Sequence, residues 1–186
     1  MAARRSLPLP GPRRALCEPD PPLVTTSPYA AALALLAGRE LSVAQLTERL
    51  VTKGYEPDEA TAAVARLKTE GAVDDQRAAA MIARRAATIA HRGPHRARRE
   101  IEAAGIASDV ARAAVDQAYS EAGDAVVLER ALDRRLRGPV RDRKHFERLC
   151  RYLIRQGFDS GAAIAAVRAR VGPDDPDADA DVDAAS

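Results

Sequence analysis

Apolar residues along most of the chain recur at intervals of three and four positions, the spacing of one face of an α-helix. This pattern predicts nine helices, most of them followed by a glycine or a Gly-Pro pair. The predicted segments are 29–37, 42–54, 58–71, 76–91, 95–104, 108–121, 124–136, 141–156 and 159–171. No run alternates between apolar and polar residues with period two, so the sequence predicts no strands and an all-α fold.

A glycine that ends a helix recurs at a nearly constant interval. Gly54, Gly105 and Gly157 lie 51 and 52 residues apart, and an apolar residue follows each of them. The positions four before and ten after each glycine are also apolar, and alanine recurs six after it. A period of this length is typical of repeat proteins. We therefore expect three tandem three-helix repeats, at 29–72, 73–122 and 123–171, which form an elongated, curved molecule.

Residue types near the helix ends predict how the helices start and stop. Ser42 and Ser108 are the expected N-caps of their helices, and Asp74 with Asp75 is expected to cap the fourth, because short polar side chains accept hydrogen bonds from free amide groups. Gly54 is expected to end its helix in a left-handed conformation. The apolar positions of the fourth helix are expected to share one inward face: Ala78, Met81, Ile82 and Ile89.

Composition and charge narrow the kind of protein. Aromatic residues make up 3% of the chain and tryptophan is absent, which argues against one large core. Residues 29–171 contain 25 of the 29 Lys and Arg residues but 19 of the 27 Asp and Glu residues, a net charge of about +6. The last 14 residues contain six aspartates and no base. A basic body suits a polyanion or an acidic protein surface. We expect the Pro-rich segment 1–28 and the acidic segment 172–186 to be disordered.

Cysteine usage and hydropathy predict a cytoplasmic monomer. No stretch of the sequence is apolar over 18 residues, and the N-terminus lacks the apolar region of a signal peptide, so we expect no membrane association. Cys17 lies in the N-terminal segment and Cys150 in a predicted helix. Two cysteines in such different settings predict no disulfide and a reducing compartment.

Side chains that could perform catalysis or bind a metal are dispersed. His91 and His95 are four residues apart, but Gly93-Pro94 lies between them and interrupts any shared helix face. His145 is far from both in the sequence, and Cys150 has the apolar neighbours of a core residue. The glycine-rich phosphate loop and the nucleophile elbow are both missing from the sequence. We therefore expect no enzyme activity, no cofactor and no metal.

Basic residues form three groups, and the eighth helix carries the most regular one. Five of them fall within about 80° of arc at 100° per residue, opposite Phe146, Leu149 and Leu153. They are Arg141, Lys144, Arg148, Arg151 and Arg155. No acidic residue is expected to interleave on this ridge. The ridge also offers no aromatic platform, so we do not expect it to bind by base stacking.

The other two basic groups surround a chain break and a helix end. The group around Gly93-Pro94 contains Arg84, Arg85, Arg92, Arg96, Arg98 and Arg99. The group near the end of the seventh helix contains Arg130, Arg134, Arg135 and Arg137. We interpret all three groups as candidate contacts to phosphates or to an acidic protein surface. Most charge runs are only solvated helix faces, and that alternative stays open.

Four segments in order along the chain resemble the RecX family, the bacterial regulatory proteins that modulate the RecA recombinase. They are "ALALLAGRELSVAQLTERLVTKGY", "LKTEGAVDD" followed by "RAAAMIARR", "RGPHRARREIEAAGI" and "LCRYLIRQGFDSGAAIAAV". The resemblance covers residues 29–171. It implies tandem three-helix repeats that bind the groove of the RecA nucleoprotein filament and inhibit strand exchange and ATP hydrolysis. It implies no catalytic residues.

Two other functions are compatible with the residues alone. Each unit of three short helices could be a helix-turn-helix that reads DNA sequence, although such readers usually dimerise. The protein could also be an adaptor that binds proteins without touching nucleic acid. The salt dependence of binding, measured with and without the recombinase, separates these alternatives.

The acidic C-terminal segment predicts competition with DNA. Six aspartates covalently attached to a basic body can occupy the cationic residues that would otherwise contact phosphates. Deletion of residues 173–186 is therefore expected to strengthen DNA binding, more so at low salt, where charges are less screened. Anisotropy titrations at two salt concentrations measure this. Equal affinities with and without the segment at low salt would contradict it.

Overall fold

The computed structural model describes residues 26–172 and contains nine helices in that range. The expectation of disorder for the two terminal segments lies outside the described residues, except that Ser27 caps the first helix. The helices are α1 Pro28–Leu36, α2 Val43–Thr52, α3 Pro57–Thr69, α4 Asp75–Arg85, α5 Pro94–Ala103, α6 Ser108–Ala122, α7 Asp124–Asp133, α8 Arg143–Gln156 and α9 Ser160–Arg168. Between Thr26 and Gly172 there are no strands, only an isolated bridge between Val140 and Val171. The all-α prediction is confirmed.

The helices pack in threes, which we call the first (α1–α3), second (α4–α6) and third (α7–α9) triplets. Within each triplet every helix contacts the other two. This grouping agrees with the expected repeats, whose boundaries stay a prediction. The first triplet has a core of its own, but the second and third triplets share one continuous core. A separate small core for every unit was therefore the wrong expectation for the last two, because α6 packs directly against α7.

Local sequence accounts for most helix ends. Ser42 is the N-cap of α2 and forms a reciprocal pair of hydrogen bonds with Gln45, as a capping box does. Asp74 caps α4 by accepting hydrogen bonds from the amides of Gln76 and Arg77. The expectation for Ser108 was wrong: Ala107 occupies the N-cap position, and the Ser108 hydroxyl donates to Glu102 instead.

Asp75 acts across the boundary between the first two triplets rather than on its own helix. Its carboxylate accepts a hydrogen bond from the Val43 amide, 2.9 Å away, and so satisfies a free donor at the start of α2. The Ser42 hydroxyl, which is fully buried, donates to the carbonyl of Ala104 at the end of α5. A Cβ on Gly105 would lie 2.4 Å from the Cβ of Ala44, so these helix ends are in tight contact.

The same end-to-end contact recurs between the second and third triplets. The amide of Gly93, at the start of α5, donates to the carbonyl of Gln156 over 2.8 Å, and the His95 amide donates to the carbonyl of Gly157 over 3.2 Å. A Cβ on Gly93 would lie 2.2 Å from the backbone carbon of Gly157. The middle helices of the three triplets, α2, α5 and α8, therefore follow one another with the start of each against the end of the next.

A buried tyrosine secures the segment that precedes α5. The Tyr119 hydroxyl donates a hydrogen bond to the carbonyl of Arg92. Burial is the main cause that raises the pKa of Tyr119 above its usual value, so the hydroxyl keeps the proton that it donates. This contact connects α6 to the loop that enters the joint with the third triplet.

The end of α4 departs from the predicted single helix. Residues Ala86–Ala90 are π-helical, and His91 follows with a left-handed backbone at φ 48°. The expected inward face was partly wrong, because Met81 is 39% exposed and Ile89 is 64% exposed. Alanines form the buried face instead: Ala78, Ala79, Ala83, Ala86 and Ala87. The small side chains let α4 approach α6 closely, and the larger apolar residues point outward.

The Gly157 joint predicts an unusual sensitivity to one methyl group. Gly157→Ala is expected to lower the free energy of unfolding by more than about 2 kcal/mol, as measured by urea unfolding with circular dichroism. A positive φ costs a non-glycine residue about 1–2 kcal/mol, and overpacking costs about 1–3 kcal/mol more. The clash arises because a Cβ there would lie 2.4 Å from the Arg96 amide nitrogen.

Gly138→Ala is the matched control for that substitution. Gly138 has φ 99°, close to the 93° of Gly157, but a Cβ there would meet nothing within 4 Å. The control should therefore show only the backbone cost. Equal losses of stability in the two variants would mean that the joint is not tightly packed.

Candidate nucleic-acid and protein interface

The predicted basic residues lie in three places of unequal character. Arg84 and Arg85 are exposed at the end of α4, beside Met81 and Ile89. Arg92, Arg96 and Arg99 lie at the joint between the second and third triplets. The remaining predicted residues are on or next to α7 and α8: Arg134, Arg135, Arg141, Lys144, Arg148, Arg151 and Arg155.

At the joint, two of the predicted cations have partners within the protein. Arg92 and Arg96 both pair with Glu100, and Arg96 also donates to the side chain of Gln156 over 3.0 Å. All three charged side chains are about one third exposed. These arginines connect α5 to α8 and have less freedom to contact a ligand. Arg99 is exposed, and no partner for it is found among residues 26–172.

The ridge on α8 is shorter and less uniform than the spacing predicted. The helix begins at Arg143, so Arg141 lies in the preceding loop. Glu147 pairs with Arg143 over 3.3 Å and with Arg151 over 3.8 Å, which corrects the expectation that no acid interleaves. Lys144, Arg148 and Arg155 are exposed and form no ion pair within the described part of the chain.

Arg148 and Arg155 line a concave pocket between α8 and the end of α7. The pocket has a volume of about 330 Å³ and is lined by Arg135, His145, Arg148, Leu149, Tyr152 and Arg155. The Arg135 guanidinium lies over the Tyr152 ring, 5.6 Å from its centroid. We call this feature the α7–α8 pocket. It joins the eighth-helix group to part of the seventh-helix group, which the sequence had left separate.

Sequence reasoning missed Tyr152 and His145, and it wrongly excluded an aromatic platform. The missed signal was helical spacing: Tyr152 lies four residues after Arg148 and three before Arg155, so all three share one side of α8. At 100° per residue Tyr152 falls at the boundary between the cationic and core faces. Counting only charged residues on the ridge overlooked the amphipathic residues at its edge.

Residues with catalytic potential are not assembled into a centre. Within residues 26–172 no group of three or more His, Cys, Asp or Glu side chains could hold a metal ion. Cys150 is buried in the shared core, as predicted, and burial raises the pKa of its thiol. A raised pKa leaves less thiolate at neutral pH, whereas a reactive cysteine has the opposite shift. His91 and His95 lie on either side of the left-handed turn and share no helix face.

Fold and site together define an all-helical protein of packed three-helix units with a cationic surface on its last unit. A family model described as "RecX, first three-helix domain" matches residues 29–67, which contain α1, α2 and most of α3. The regulatory protein RecX of Xanthomonas oryzae is 37% identical over 145 residues, which cover 76% of this chain and 88% of that protein. The regulatory protein RecX of Stenotrophomonas maltophilia is 36% identical over 151 residues, 80% of this chain and 89% of that one.

Solved structures agree with these relatives. A crystal structure of regulatory protein RecX superimposes with a TM-score of 0.62 at 18% identity, over 73% of this chain and 67% of that chain. RecX from Lactobacillus salivarius gives a TM-score of 0.59 at 18% identity, over 76% of this chain and 93% of that one. The chain belongs to the RecX family of regulatory proteins. In the range from Thr26 to Gly172, no helix is both long and apolar enough to cross a membrane.

The buried thiol predicts slow alkaline labelling. In a Cys17→Ser variant, Cys150 is the only thiol. Its reaction with a disulfide reagent should be slow at neutral pH, and the rise in rate should occur above about pH 8.5, the ordinary thiol pKa. Stopped-flow absorbance from pH 7 to 10 measures this, with the urea-unfolded protein as the exposed reference. A native rate that already exceeds the unfolded rate at pH 7 would contradict the assignment of Cys150 as a core residue.

Proposed function

We propose that this protein regulates the RecA recombinase of its own cell by binding the RecA nucleoprotein filament in the cytoplasm. In this proposal it inhibits ATP hydrolysis and strand exchange, and so modulates recombination and the response to DNA damage. Membership of the RecX family supports a regulatory role. The resemblance described above supplies the partner.

The observation that carries the proposal is the set of unpaired cations on the third triplet. Lys144, Arg148 and Arg155 are exposed on one side of α8, and Arg135 extends this surface from the end of α7. Cations that already have carboxylate partners would have to lose those contacts before they could bind an anion. These four have none among the described residues, so phosphate contacts would replace only water and released counterions.

Shape supports the same proposal. The three triplets follow one another through end-to-end contacts of α2, α5 and α8, and helices of the first triplet make no substantial contact with those of the third. Such an arrangement gives a long surface of the kind that repeat proteins use for extended partners. A monomer that occupies a filament groove can inhibit without chemistry, because its presence obstructs strand entry and movement between recombinase subunits.

Charge reversal on α8 tests this function. The triple variant Lys144→Glu, Arg148→Glu and Arg155→Glu leaves the core residues Leu149 and Leu153 unchanged. Inhibition of DNA-dependent ATP hydrolysis by the recombinase should weaken at least about tenfold, which corresponds to about 1.4 kcal/mol of lost binding. The melting temperature should move little, since exposed substitutions usually change stability by about 0.5 kcal/mol or less each.

A second triple variant controls for net charge. Arg39, Lys68 and Arg112 are exposed on the first and second triplets and have no ion-pair partner in the described range. Their reversal to Glu changes the net charge equally but should leave inhibition within about twofold. Equal inhibition by the α8 variant and the parent would reject the α8 surface as the contact. If the parent itself does not inhibit the recombinase, the proposed function fails.

A further inference from the structure

The α7–α8 pocket combines positive charge, concavity and an aromatic ring in one place. Three arginines contribute to its lining, one from the end of α7 and two from α8. None of its six lining residues is acidic. The nearest acid on the same helix, Glu147, lies toward the opposite edge and pairs with Arg143 and Arg151. The pocket is therefore an anion site by charge, open to a ligand from solvent.

The hydrogen bonds of His145 leave one of its nitrogens for a ligand. The Arg141 amide donates to His145 Nδ1 over 3.3 Å, which makes Nδ1 an acceptor. In the neutral ring the proton then resides on Nε2, which can donate. The Asp142 side chain accepts from the His145 amide over 2.7 Å and fixes the start of α8. His145 thus adds one neutral donor to the three charged ones.

The size and the aromatic ring distinguish this pocket from a simple phosphate site. A volume of about 330 Å³ exceeds the needs of an inorganic anion and lies in the range of small-ligand pockets. Tyr152 is half-buried, so its ring is held by the core while part of it faces the pocket. Nucleobases stack on aromatic rings and on arginine planes alike. The Arg135–Tyr152 pair offers both surfaces.

We infer that the α7–α8 pocket binds one nucleotide unit of single-stranded nucleic acid, with the base stacked on Tyr152 and Arg135 and the phosphates held by Arg148 and Arg155. A base within a duplex has both faces covered by its neighbours, so only an unpaired base can enter. The inference deepens the proposed function by naming a ligand on the same surface, and it rests on that proposal for its role in the cell. The binding itself requires no recombinase.

The test uses the full-length protein alone and two oligonucleotides. Fluorescein-labelled oligothymidine of about 15 nucleotides reports affinity by anisotropy at several salt concentrations. Arg148→Gln should weaken binding at least fivefold and reduce the slope of log affinity against log salt by about 0.7, the value for one lost phosphate contact on a single strand. A second oligonucleotide with 5-iododeoxyuridine should crosslink on irradiation, and mass spectrometry should locate the adduct at Tyr152.

Arg151→Gln is the matched control. Arg151 lies three residues from Arg148 on the same helix and loses the same charge, but it pairs with Glu147 and does not line the pocket. It should change affinity by less than about twofold. Arg135→Gln provides a second pocket variant at an exposed residue, where folding is not at risk. It should lower the crosslinking yield at Tyr152 by at least threefold.

Competition with unlabelled thymidine monophosphate separates two sources of the same chemistry. Weak competition, at more than about a hundredfold higher concentration than unlabelled oligothymidine, identifies a strand as the ligand. Equal competition per nucleotide identifies a free nucleotide as the ligand, which would support the pocket but overturn the strand. Equal affinities of the Arg148 and Arg151 variants, with no adduct at Tyr152, would overturn the inference. In that case retained inhibition of the recombinase by the parent would leave the proposed function standing with a protein contact on this surface.

Discussion

Direct backbone contact between the ends of successive middle helices is the constraint on which this architecture depends. At the second joint, Gly93 and Gly157 approach so closely that neither could carry a side chain without displacement. Two amides at the start of α5 donate to carbonyls at the end of α8, so each helix end satisfies polar groups that the other leaves free. The opposite dipole ends also meet, which is electrostatically favourable. Each joint thus replaces two exposed helix ends by one buried contact.

The joints also explain why the third triplet carries the cationic surface. The C-terminal end of α8 is used in its joint, while its N-terminal half faces solvent. Lys144 lies in the first turn, where the helix dipole favours acids, and that turn contains no acidic residue after the Asp142 cap. A cation at this position is slightly unfavourable for folding. Its position, like the absence of ion pairs at Arg148 and Arg155, agrees better with recognition than with stability.

The sequence predicted the helices and the Gly54, Gly105 and Gly157 pattern because both depend on local chemistry: periodic apolar residues and left-handed helix ends. It could not predict that Glu100 neutralises arginines from two segments, since that pairing arises only when α5 is anchored by its joint. The pocket was missed for a similar reason. Arg135 and Tyr152 are separated by a loop, and only the packing of α7 on α8 brings them together.

The π-helical segment Ala86–Ala90 has a consequence for how this chain can change in length. A π-turn contains one more residue than the α-helical path that it replaces. Removal of one residue there would restore regular α-helix and rotate everything that follows by about 100°. Gly93 would then no longer face Gly157, and the carbonyl of Arg92 would leave Tyr119. Insertions and deletions in this segment are therefore coupled to the alignment of two whole triplets, whereas the loop around Gly138 has no such coupling.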